Sequence, residues 1–290
     1  MSSQLELAYR PPLAWDALLE FLVGRGAAGV ECAQGRRYVR TVALDGYRGW
    51  FAAEPIEGRD ALKLEFAPSL QPILTVLLPR IRSLFDLDAD PQRIDAHFAQ
   101  DARLAALIAR RPGLRVPGAL DGFELALRAV LGQQVTVKAA TTLFGRFAQA
   151  FGEPAQTPHA ELRWYAPQAA RVAAADVQTL IDLGLTQRRA QTISALARAL
   201  AEGQFKLEGG VALERTLESF QSIPGIGPWT AQYVAMRALR DPDAFPASDL
   251  ALMKVLQVTR PAHALTASES WKPWRAYAAL HLWQSMKAGG

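Results

Sequence analysis

Cysteine is nearly absent: the 290-residue chain has one, Cys32. No internal disulfide can form, and neither a thiolate zinc site nor an iron–sulfur cluster held by cysteines can be built. Cys32 lies in an alternating, strand-like stretch and reads as a small core residue. Histidine is scarce too. The four, His97, His159, His263 and His281, include no pair at helical ligand spacing, which argues against a metal held by side chains. No apolar run approaches the roughly 18 residues of a membrane-spanning helix. The opening MSSQLELAYR has neither the basic start nor the apolar centre of a signal peptide, so a soluble, cytoplasmic chain is expected. Repeats and low-complexity segments are missing as well. Charge of either sign is modest: Lys and Arg exceed Asp and Glu by 32 − 28 = +4, with a pI near 9.4. Such an excess suits a polyanionic partner without proving one.

What is present is enough apolar residue for real cores, half of the chain, at a length that predicts two or three compact units. WDALLEFLVGRG (Trp15–Gly26) has helical spacing and ends in glycine. Three strand-like runs follow, Arg36–Leu44, Tyr47–Glu54 and Ala61–Ala67, with Asp45–Gly46 as the hairpin turn between the first two. Ser69–Phe85 returns to helical spacing, with Pro72 in its first turn and Pro79 expected to kink or divide it. Beyond about residue 90 the pattern is helical: Pro91–Arg110, Ala119–Leu131, Val135–Phe151, Asp176–Leu183, Thr186–Glu202, Leu213–Gln221, Pro228–Leu239, Leu250–Val258 and Trp274–Met286. The reading is α+β, a small antiparallel sheet backed by helices and then an all-helical remainder.

The most informative stretch is LESFQSIPGIGPWTAQYVAMRAL, Leu217–Leu239. A helix ends at Ser222, a tight turn Ile223–Pro224–Gly225–Ile226–Gly227 follows, and Pro228 suits the first position of a second helix. The two glycines are expected to allow backbone geometry that a Cβ would block. Free amides and the positive helix end would then make a socket for phosphate. Ile223 and Ile226 would pin the helices together beneath it. A helical corner packed closely on glycine is the plainer reading, but the full pattern resembles the helix-hairpin-helix motif, which grips DNA backbone without reading sequence.

Asp249, in FPASDLALMKVL, lies 249 − 227 = 22 residues beyond Gly227. Alone it reads as a helix N-cap. A hairpin followed at this distance by an acid beside a helix resembles the helix-hairpin-helix DNA glycosylase superfamily, where a carboxylate would stabilise positive charge developing on the sugar as a glycosidic bond breaks.

The resemblance extends over nearly the whole chain, through YRPPLAWDALLEFL (Tyr9–Leu22), SLFDLDADPQ (Ser83–Gln92), RPGLRVPG, LRAVLGQQVTV (Leu127–Val137), IPGIGPWTAQY and WKPWRAYAALHLW (Trp271–Trp283). These are similar to the 3-methyladenine DNA glycosylase II family, the AlkA type. The resemblance implies a TATA-binding-protein-like sheet domain over residues 1–95 and a helical region over 96–290. That region would form two subdomains, 122–240 and 96–121 plus 241–290, with the active-site cleft between them. It implies Asp249 as the catalytic carboxylate and Trp229, Tyr233 and Trp283 as the base pocket. Gln134 would be the wedge entering the duplex, and Ile223, Gly225, Gly227 and Thr230 would contact DNA. Trp229 stands where strand-nicking relatives carry a Schiff-base lysine, so one-step hydrolysis of alkylated bases is implied. No cofactor and no iron–sulfur cluster are implied, although Na⁺ at hairpin carbonyls fits the family. The partner would be damaged duplex DNA, bound by a monomer, with the base flipped into the pocket. Ser248 and Leu250 depart from relatives that carry a second acid or an aromatic beside the carboxylate. The alternatives are a glycosylase for oxidised, deaminated or mismatched bases, and a DNA-binding module in which Asp249 only caps a helix.

Overall fold

The computed structural model describes residues 2–287. The chain opens with β1 (Ser3–Ala8), α1 (Trp15–Gly24), β2 (Glu31–Gln34), β3 (Arg37–Leu44), β4 (Tyr47–Pro55), β5 (Ala61–Phe66), a 3₁₀ turn at Pro68–Ile73, and α2 (Leu74–Phe85). Helices then dominate: α3 (Pro91–Phe98), α4 (Ala102–Arg110), α5 (Gly122–Leu131), α6 (Val137–Phe151), α7 (Ala169–Ala173), α8 (Val177–Asp182) and α9 (Gln187–Ala201). The last five are α10 (Leu213–Gln221), α11 (Pro228–Arg237), α12 (Leu250–Leu256), α13 (Pro261–Ala267) and α14 (Arg275–Lys287). The expected α+β order, sheet first and helices after, is what the structure has.

The sheet is antiparallel throughout, in the order β1-β5-β4-β3-β2. Asp45 and Gly46 both take positive φ, 49° and 82°, the backbone that a two-residue hairpin needs between Leu44 and its partner Tyr47. Alternation puts Tyr38, Val42, Phe51, Leu62 and Leu64 on one face, where α1 and α2 bury Trp15, Leu18, Leu77 and Ile81. The opposite face, with Val39, Trp50 and Ala52, is closed by Leu162.

Four local expectations need correction. β1 was not foreseen; of its residues only Leu7 is buried, so it carries little apolar signal. Pro79 does not divide α2, because both it and Thr75, whose carbonyl loses its usual donor, face water. The single helix expected over Pro91–Arg110 is two, since Asp101 caps α4 by accepting from Arg103 N and Leu104 N. The short helices α7 and α13 were also unforeseen.

Two further cores lie beyond the sheet. One joins α5, α6 and α9 with the hairpin through Phe123, Leu127, Phe144, Phe147, Ile193, Phe220, Ile223 and Ile226. The other joins α3 and α4 to the far end of the chain through Ile94, Phe98, Leu104, Leu252, Trp271 and Leu282. Helix α11 stands between, giving Ala231 and Val234 to the first and Ala235 and Met236 to the second. A buried charge cluster ties the sheet to α5. Arg40 donates to Glu124 at 2.8 Å, Arg128 bridges Glu124 and Glu31, and the Tyr38 hydroxyl bonds Glu31. Burial pushes the Glu31 carboxyl up, but Arg128, Arg40 and Tyr38 outweigh it and hold it at about 2.

Candidate active site

Helix α10 ends at Ser222, the turn runs Ile223–Gly227, and α11 starts at Pro228 with Gly227 as its N-cap. Ile223 and Ile226 are buried, as their expected role as pins requires. Gly225 has φ +94°, and a Cβ there would meet Thr192 Oγ1 at 2.1 Å, so both backbone and space demand glycine. Gly227 differs from the expectation. Its φ is −95° and a Cβ would meet nothing within 4 Å, so no protein contact requires the missing side chain. A methyl there would stand in the open space before the α11 amides. Thr230 is buried with its hydroxyl accepting from Gln133 Nε2 at 3.0 Å, which ties α11 to the loop before α6.

Gln133 also donates to Gly225 O at 3.1 Å, and Arg189 donates to Gln133 O at 2.6 Å. These bonds fasten the loop before α6 to the hairpin, a role the sequence did not announce. Next to it Gln134 is exposed at φ +57°, at the tip of that loop rather than on a helix. The backbone that carries Gln134 is thus tied to the hairpin through its neighbour Gln133.

Asp249 sits at the N-cap of α12. Oδ1 accepts from Ala251 N at 3.0 Å, Leu252 N at 2.9 Å and Trp283 Nε1 at 3.0 Å. Oδ2 accepts only from Trp229 Nε1, at 2.8 Å. The cap expected of Asp249 alone is therefore real, and so is its place among the aromatic residues. Four donors fix the carboxylate, and Oδ2 is the oxygen with a lone pair to spare.

Trp229 and Tyr233, one turn apart on α11, stack with centroids 5.1 Å apart and an interplanar angle of 9°. The Arg237 guanidinium lies 5.4 Å from the Tyr233 ring centroid as well. Trp283 reaches across from α14, its centroid 6.5 Å from that of Tyr233. Together with Asp249 these rings line a cleft of about 400 Å³, within the usual range for a small-ligand site. Its floor adds Phe21 from α1 and Arg25 from the cap that ends it, Arg128 from α5, Phe144 from α6 and Arg237 from α11. None of these five was foreseen. Phe21 and Arg25 are one helical turn apart but lie some 200 residues from Asp249 in the chain, so only the fold unites them.

Arg237 is buried and spends its donors on Pro117 O, Gly118 O and the Tyr233 hydroxyl, at 2.8, 2.9 and 2.7 Å. Burial pushes the Tyr233 phenol up, but the cations Arg237, Arg25 and Arg128 and the bond from Arg237 outweigh it, leaving the phenol below its ordinary value. No cluster of three or more His, Cys, Asp or Glu able to hold a metal occurs among the described residues. A cation at the hairpin would have to use backbone oxygens, of which Pro224 O and Gly225 O are already bonded by Thr192 and Gln133.

Residues 4–121 match the model of the AlkA N-terminal domain, and residues 127–276 that of the HhH-GPD superfamily base excision DNA repair proteins. The DNA-3-methyladenine glycosylase 2 of Escherichia coli is 37% identical over 277 residues, 96% of this chain and 95% of that one. The chain belongs to the AlkA-type HhH-GPD glycosylases. It is a base-excision DNA glycosylase. Among solved structures, the 3-methyladenine DNA-glycosylase of Archaeoglobus fulgidus shares the fold at a TM-score of 0.82 and 21% identity, covering 97% of this chain and 96% of that one. The Schizosaccharomyces pombe 3-methyladenine DNA glycosylase, solved in complex with abasic DNA, matches at 0.57 and 23% identity, covering 67% of this chain and 97% of that one. In this AlkA-type glycosylase the aromatic rings and the capped carboxylate thus share one cleft, and the hairpin leads directly into α11, which carries two of those rings.

Proposed function

We propose that the chain is a monofunctional glycosylase that hydrolyses the N-glycosidic bond of alkylated purines, 3-methyladenine among them, in duplex DNA. The observation that carries this reading is Asp249, fixed by four donors at the edge of a cleft walled by Trp229, Tyr233 and Trp283. We place the cleft between helical subdomains at 122–240 and at 96–121 plus 241–290, with Phe21 and Arg25 of a sheet domain over 1–95 adding to its floor. The three main cores support that division, although Ala27 and Val30 join the core of α5, α6 and α9, and α11 contributes to two.

In this mechanism Gly225, Gly227 and the first amides of α11 anchor the phosphate backbone, with Ile223 holding the turn from below. Gln134 enters the duplex as the base leaves it. The flipped purine lies against the aromatic wall, where an electron-rich ring attracts a cationic base. As the C–N bond lengthens, positive charge grows on the sugar, and Asp249 Oδ2 stabilises it while water attacks. With Trp229 in place of an amine, no Schiff base forms at this position.

The test is incubation of wild type and Asp249→Asn with methylated duplex DNA, with free bases separated by chromatography and strand breaks scored apart. Wild type should release methylated purines without nicking, and the variant should bind DNA yet lose turnover by at least about 100-fold. Unchanged turnover would remove Asp249 from the mechanism; no release by either protein would move the substrate to another lesion class.

A further inference from the structure

The cleft floor carries three arginines, and they are not equivalent. Arg128 is neutralised by Glu31 and Glu124. Arg237 is buried and turns three of its five donors on two carbonyls and the Tyr233 hydroxyl. Arg25 lies with its guanidinium 4.0 Å over the Phe21 ring and has no acceptor among the described residues. It is a side chain with five donors, lining the cleft, with none of them spent. Asp249 is the only carboxylate among the described lining residues, so the floor holds more positive charge than negative. A pocket shaped only for a cationic base would not be built this way, because Arg25 repels such a base while the aromatic wall attracts it.

We infer that Arg25 is a specificity-determining residue, which donates to the acceptor edge of the flipped base and admits neutral bases that must leave as anions. The inference rests on the glycosylase reading of the same cleft. In either hydrolysis the C–N bond breaks with its electron pair passing to the base, water oxygen bonds to C1′, and water gives up one proton. A cationic base leaves neutral and needs no help. A neutral base leaves with a negative charge until it takes that proton. A guanidinium donor at its edge stabilises that charge only as it develops. The Tyr233 phenol, its proton loosened by the same cations, stands beside Arg25 on this floor.

The experiment compares single-turnover release of neutral hypoxanthine and cationic 7-methylguanine from otherwise identical duplexes by wild type, Arg25→Met and Arg25→Lys. Methionine keeps an apolar stem over Phe21 and removes the donors. The ratio of hypoxanthine to 7-methylguanine release should fall about tenfold or more in Arg25→Met, with 7-methylguanine release rising as repulsion is removed. Arg25→Lys, which keeps charge without the fork, should recover part of the ratio. A ratio within about twofold of wild type in Arg25→Met, or wild type that releases no hypoxanthine, would overturn the inference. Wild type that releases hypoxanthine but no methylated purine would instead sink the alkylpurine reading and leave the role of Arg25 standing.

Discussion

Asp249 shows how one carboxylate serves two ends at the residue scale. Oδ1 closes the first turn of α12 and takes the Trp283 indole N–H, while Oδ2 faces the chemistry through Trp229. Asparagine caps a helix as well as aspartate, so Asp249→Asn should keep the cap while removing the charge. Alanine loses both and strands two indole donors, a cost of roughly 1–3 kcal/mol. Thermal melting of the two variants should therefore separate, with Asp249→Ala lower, although both lose base release. Equal melting temperatures would mean that the cap contributes nothing. The residue scale is also where the sequence spoke most clearly. Asp249, Trp229, Tyr233 and Trp283, which the family resemblance named, line one cleft in the structure. Arg25, Phe21 and Gln133 were silent, since an arginine at a helix end or a glutamine beside a loop looks alike whether it faces water or a cleft.

Among elements, the hairpin separates two glycines that the sequence treats alike. Gly225→Ala forces a side chain into a left-handed backbone and against Thr192, so it should lower the melting temperature and lose DNA binding together with the fold of the turn. Gly227→Ala meets no protein atom and should melt like wild type while binding duplex DNA more weakly, because its methyl occupies the approach to the α11 amides. Binding titrations alongside melting curves distinguish the two; wild-type affinity in Gly227→Ala would remove that glycine from the phosphate socket. Element boundaries were legible where caps or turns mark them, as at Asp45–Gly46 and Pro228. They were obscured where helical residues run through a break, as at Ala99 and Gln100 between α3 and α4, and where a strand such as β1 buries almost nothing.

The whole molecule is held together by charges that no local pattern reveals. Glu124 on α5 neutralises Arg40 of the sheet and Arg128 of the cleft at once. Glu124→Gln leaves buried guanidinium charge uncompensated and should cost roughly 3–5 kcal/mol, read from denaturant unfolding. A change below 1 kcal/mol would show that water reaches the joint. Acid should loosen the fold through His281 on α14, which burial, and then nearby Arg111, hold down at about 4. The unfolded imidazole binds its proton near pH 6.5, so stability is complete above that value and is lost as pH falls from about 6.5 to 4. Melting temperatures at pH 7 and pH 5 should differ less in His281→Leu than in wild type. An equal difference would assign the acid sensitivity to other groups.

The core that joins α3 and α4 to α12 and α14 has a consequence for how the chain is made. Val116 belongs to its first half and Ala235 opens its second. At ribosomal speeds of about 5–20 residues per second, the 235 − 116 = 119 intervening residues occupy roughly 6–24 s. For that time Ile94, Phe98, Leu104 and Ile108 have emerged without the helices that will cover them, while the hairpin core between is already assembling. The active-site cleft is consequently incomplete until α14 has been made. A nascent chain cut short before α14 carries the hairpin but lacks the indole of Trp283 that helps to hold Asp249.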